Sequence, residues 1–152
     1  MYVFLPSTVP ALARVLEEGR VDGAPLTAFA ADPGSGTDAE EAEYDAMYAA
    51  ADESLTLLAA DPAAPRRRVV LAATMPDDVV ERVGTAGPGV IRVRVTGPVP
   101  YKRLASAHVD DAGAADDVAR AAADPASDAA AEHELMWFAV QELRYLVGES
   151  GS

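Results

Sequence analysis

Arg66-Arg67-Arg68-Val69-Val70-Leu71-Ala72-Ala73 is the stretch on which the fold turns. Three cations are followed at once by five apolar residues with no polar interruption. A short run that is apolar at every position suits a strand covered on both faces. Such strands belong to sheets with helices on either side, so the stretch predicts a layered α/β domain. Residues 90–95, Val-Ile-Arg-Val-Arg-Val, alternate instead. Ile91, Val93 and Val95 share one side and Arg92 and Arg94 the other, as in a strand with one wet face.

Toward the N-terminus, Tyr2-Val3-Phe4-Leu5 reads as a strand that ends at Pro6. Ser7 or Thr8 can cap a following helix, with Pro10 in its first turn, Leu12, Val15 and Leu16 on one face and Gly19 at its end. Residues 26–30 predict a second strand. The longest helix is expected over 38–60, where Tyr44, Met47, Tyr48, Ala51, Leu55 and Leu58 form one stripe and Glu41, Asp45, Asp52 and Glu53 lie outside it. Toward the C-terminus the pattern predicts a short helix over 77–83, a glycine turn over 84–89 and a last strand over 106–109. An alanine-rich helix over 111–123 follows, broken at Asp124-Pro125. Asp128 can cap a final helix to 147, with Leu135, Met136, Ala139, Val140, Leu143, Leu146 and Val147 on its core face.

Strands alternating with helices favour parallel pairing through right-handed crossovers. The expectation is therefore a single α/β domain over residues 1–147, with about five strands in a mostly parallel or mixed sheet, four to five helices, and the C-terminal helix on the core. Residues 110–131, poor in large side chains, are expected to be mobile, and 148–152 to form a loose tail.

Charge excludes several partners. The 152 residues carry 25 Asp and Glu against 12 Lys and Arg, a formal net charge of -13. Nucleic acid and anionic membranes are repelled by such a chain, so neither is expected as a partner. The absence of cysteine removes disulfides, thiolate nucleophiles, Fe–S clusters and cysteine-bound zinc. It also fits a cytoplasmic protein, as does the lack of a signal-peptide pattern or an apolar run near the ~18 residues of a membrane span. Lys102 is the only lysine, a skew toward arginine that marks a GC-rich genome.

Candidate sites are few. Gly34-Ser35-Gly36-Thr37 stands between a strand and a helix, but the acidic residues that follow, Asp38, Glu40 and Glu41, would repel a phosphate. No cofactor is implied. His108 lies at a strand end in Ala107-His108-Val109-Asp110-Asp111, where α/β sheets often bind ligands. His133 lies in Glu132-His133-Glu134 at the start of the final helix. Should the two converge, His108, Asp110, His133 and Glu134 or Glu132 could supply metal ligands. The same histidines with Asp110 and Glu142 could serve acid–base catalysis. Ser106 and His108 share a strand face, but no nucleophile elbow accompanies them. Trp137 falls off the core face of the final helix, between His133 and Arg144, and so predicts a second packing surface, a partner or a ligand shelf. Glu142 sits at the core margin and calls for an arginine partner. Arg66, Arg67 and Arg68 with Arg92 and Arg94 could form a small positive patch if their strands are neighbours, or pair within the chain.

Tyr2-Val3-Phe4-Leu5-Pro6-Ser7-Thr8, Pro25-Leu26-Thr27-Ala28-Phe29-Ala30, Leu58-Ala59-Ala60-Asp61-Pro62 running into the arginines, Ala107 to Asp111, and Glu132-His133-Glu134-Leu135-Met136-Trp137 with Gln141-Glu142 resemble a family of uncharacterised actinobacterial proteins. The likeness covers most of the chain. It implies lineage and a cytoplasmic location, and no activity, cofactor or catalytic residue. The resulting expectation is a non-catalytic protein-interaction or regulatory module that binds through the Trp137 region, with His133, Arg144, Arg92 and Arg94 as further binding residues and the acidic surface as the interaction face. The competing expectation is a small-ligand binder or metal-dependent enzyme with a pocket at strand carboxyl ends, built from His108, Asp110, His133 and Glu142. Whether the chain is an enzyme, and its oligomeric state, are not set by the sequence.

Overall fold

The computed structural model describes residues 1–23 and 25–150. Its strands are β1 (Tyr2–Ser7), β2 (Arg20–Val21), β3 (Leu26–Ala31), β4 (Val69–Thr74), β5 (Val80–Thr85), β6 (Val90–Val95), β7 (Val99–Pro100), β8 (Leu104–Val109) and β9 (Met136–Ala139). Its α-helices are α1 (Val9–Glu18), α2 (Ala39–Ala60), α3 (Ala115–Ala123) and α4 (Leu143–Ser150). Seven strands form one sheet in the order β5-β6-β3-β1-β4-β8-β9, and β2 with β7 makes a separate ribbon. Every neighbouring pair is antiparallel.

The α/β class and the layering are as expected; the strand count and direction are not. Residues 80–85 continue from a single 3-10 turn (Asp77–Val79) into a strand that hairpins onto β6. Residues 136–139 add another strand on the far edge. Alternation of helix and strand fixes which face the helix covers but not the end from which the next strand enters. Between α1 and β3 the chain inserts β2, and this extra extended segment lets β3 start from the opposite end. β1 also runs on through Pro6, which is tolerated because β1 pairs with β3 only around Phe4 and Phe29.

β4 is the doubly covered strand its apolar run predicts. Val69, Leu71 and Ala73 join Val3, Leu5, Ala28, Ala30, Ile91 and Val93 in a core closed by Leu12 and Val15 of α1 and by Leu143 and Leu146 of α4. Val70 and Ala72 face the other way, with Phe4 and Phe29, onto Ala46, Met47, Ala50 and Ala51 of α2. A third cluster joins Leu58 of α2 to Val118, Ala121 and Ala122 of α3. The molecule is thus a sheet between α1/α4 and α2, with α3 beside α2.

Local sequence sets the helix limits. Thr8 accepts a hydrogen bond from the Ala11 N–H at 3.2 Å, and Gly19 takes the left-handed φ of 75° that ends α1. Asp38 caps α2 through the Glu40 N–H. The Arg66 guanidinium donates to the carbonyls of Leu58, Asp61 and Ala64 at the other end of α2.

The final helix is shorter than its periodicity predicts. Residues 124–133 form successive turns, β9 follows, and Val140–Glu142 is a 3-10 turn before α4. Met136-Trp137-Phe138-Ala139 has bulk that suits a strand, and the open edge of β8 supplies the partner. Leu143 and Leu146 still reach the core, so the C-terminal helix packs there as expected. Of the expected tail, 148–150 continue α4, and 151–152 lie outside the described residues.

Candidate ligand cavity beside the edge strand

α2 packs over β1, β3, β4 and β6, and β8 and β9 continue past it. At that margin lies a cavity of about 250 Å3 lined by Tyr2, Phe4, Glu43, Tyr44, Met47, His108 and Trp137. Register explains the grouping. Val70 stands opposite His108, and His108 opposite Trp137, so both rings rise from the α2 face of the sheet. The neighbouring row runs Phe4, Ala72, Ser106, Ala139. Of that row Phe4 lines the cavity.

The rings are mutually ordered. Tyr2 and Phe4 meet edge to face with centroids 5.1 Å apart, and Phe4 meets the His108 ring at 6.3 Å. Tyr44 lies 4.8 Å from Tyr48. The Tyr48 hydroxyl accepts a hydrogen bond from the Leu135 N–H at 3.1 Å, which ties the chain entering β9 to α2. Burial raises the Tyr48 phenol above its ordinary pKa, so it stays protonated. Burial also lowers the His108 pKa, so the ring is neutral at neutral pH. Its Nε2 lies 3.4 Å from Ser106 Oγ, a long contact to a buried hydroxyl outside the cavity lining. Trp137 is 62% exposed and Tyr44 54%. The lining carries four aromatic side chains besides His108 and one carboxylate, and none of these lining side chains is Lys or Arg.

Asp110, His133, Glu134 and Glu142 do not line this cavity. Asp110 is fully buried and accepts from the Arg68 backbone N–H, Nε and a terminal nitrogen, each at 2.8 Å. Arg67 Nε donates to the Asp110 carbonyl. His133 Nε2 is 2.7 Å from Asp117 Oδ2, beside a different cavity bordered by Asp128 and Glu132. The hydrogen bond from His133, then that from Arg120, holds the Asp117 carboxyl below its ordinary range. Glu134 is exposed. Glu142 is also exposed and needs no arginine, because its Oε1 accepts from the Ala139 N–H at 2.9 Å. The two histidines do not converge in one cavity, since His108 borders one and His133 another, and among the described residues no group of three or more His, Cys, Asp or Glu could hold a metal.

Trp137 sits on a strand and not on a helix beside His133 and Arg144. Arg144, on α4, stacks on the Tyr145 ring at 5.0 Å. Arg92 stacks on Phe29 at 5.0 Å, and Arg94 pairs with Glu81 at 3.7 Å. The positive patch does not form, since β1 and β3 separate β4 from β6. Sequence reasoning missed Tyr2, Phe4, Glu43, Tyr44 and Met47 as site residues. Alternation in β1 puts Tyr2 and Phe4 on one face, and i, i+3, i+4 spacing groups the α2 residues, but nothing local joins either set to Trp137.

The model of a family described as a family of unknown function (DUF6912) matches residues 1–147. The chain belongs to this family. No curated protein and no solved structure gave a match. No helix among the described residues is long and apolar enough to cross a membrane.

Proposed function

We propose that this family member is a non-catalytic, cytoplasmic binding module of actinobacterial lineage, which receives a basic segment of a protein partner on the face around Trp137. The observation that carries the reading is the pairing of two exposed aromatic rings, Trp137 and Tyr44, around one cavity at the edge of the sheet. Large exposed aromatics are typical anchors of interfaces. β9 ends the sheet, so its outer edge can pair with an extended peptide while the cavity takes a side chain. A net charge of -13 selects a basic partner and speeds its encounter. The competing reading, a small-ligand binder or metal-dependent enzyme built from His108, Asp110, His133 and Glu142, has less support, because of these four only His108 lines that cavity.

The test is capture from the native host with the wild-type chain and Trp137→Ala, both checked for folding by circular dichroism. A protein held by the wild type, lost by the folded variant and released by salt supports the reading. Equal capture by both chains, or no specific capture, overturns it.

A further inference from the structure

We propose that the cavity between Trp137 and Tyr44 holds an organic cation, the guanidinium of an arginine carried by the partner segment. The inference rests on the binding reading above and deepens it. Tyr2, Phe4, Tyr44 and Trp137 line the space, aromatic side chains whose π systems attract cations, and Glu43 adds a carboxylate to the same lining. No cation among the lining side chains competes for those groups. His108, the remaining nitrogen base at the wall, is kept neutral by burial at neutral pH and so does not repel a guest cation.

Size narrows the guest. A cavity of about 250 Å3 fits a side-chain head group better than a nucleotide or a drug-sized ligand. Arginine fits best of the natural cations, because its planar ion stacks on an aromatic face while its donor fork meets a carboxylate. The chain already sets a guanidinium over a ring twice within itself, Arg92 over Phe29 and Arg144 over Tyr145.

Trp137 is the only tryptophan in the chain, so intrinsic fluorescence reports on this cavity directly. The probe is agmatine, an alkylguanidinium with a terminal ammonium, titrated into the full chain beside N-(4-aminobutyl)urea, which keeps the ammonium and carries a neutral urea in place of the guanidinium. Agmatine is expected to change Trp137 emission saturably and the urea analogue not to. Glu43→Gln, confirmed folded by circular dichroism, should weaken agmatine by about tenfold. No saturable response, the same response to both probes, or unchanged affinity in Glu43→Gln overturns the cation proposal. These outcomes separate from those of the capture experiment. Partner capture that depends on Trp137 with agmatine silent sinks only the cation. Saturable agmatine binding without partner capture sinks the protein-binding reading and leaves the cation site standing.

Discussion

Asp110 is a carboxyl group removed from water, and it accepts hydrogen bonds from three donors of Arg68. The sequence shows an acid near a histidine and so suggests chemistry; the fold uses it to tie the start of β4 to the end of β8. Removing one partner of such a pair strands the other, so Asp110→Ala should destabilise the chain by about 3–5 kcal/mol in urea unfolding. A loss below about 1 kcal/mol, the range of surface pairs, would show that the pair is not holding these strands. His108 behaves differently because burial lowers its pKa from the ordinary 6.5. As pH falls, the unfolded chain takes up that proton first, so its contribution to stability is whole above the unfolded value. That contribution is lost between there and the lower folded value. The difference in melting temperature between wild type and His108→Gln should therefore shift between pH 7 and pH 5, in the direction of a steeper acid loss for wild type. Parallel curves would contradict the neutral, buried assignment.

At the scale of elements, local signals were strongest where a cap and a periodicity agreed. Thr8, Pro10 and Gly19 bracket α1, and Asp38 starts α2 where the sequence places it. They failed where two periods fit the same residues. Residues 135–147 satisfy a helical stripe, yet Met136 to Ala139 pair with β8, because a free sheet edge outweighs a modest helix preference. Trp137 thereby moved from the flank of a helix to the rim of a cavity. Ser54 shows how elements are joined once made. Its hydroxyl donates to the Ser7 carbonyl at 2.7 Å and accepts from the Val69 N–H at 3.2 Å, fastening α2 to the paired ends of β1 and β4. Ser54→Ala leaves both backbone groups buried without that partner and should cost about 1–3 kcal/mol by denaturant titration. An unaltered midpoint would mean that the sheet ends do not depend on this bridge.

For the molecule as a whole, charge and layering were legible from composition and pattern. The continuous apolar run of β4, the alternation of β6 and the caps are short-range properties, and they were enough to specify the α/β class, the doubly covered central strand and helices α1 and α2. Strand direction, the seven-strand order and the cavity were decided only in the tertiary structure. Direction depends on where each connection delivers the chain, which is a property of several segments together. The cavity depends on register between β4, β8 and β9, which places His108 beside Trp137, and on where α2 comes to rest. The carboxylates and histidines that looked like one site were dispersed for the same reason: residues close in sequence share a locality, but residues that share a cavity are brought there by the packing of elements far apart in the chain.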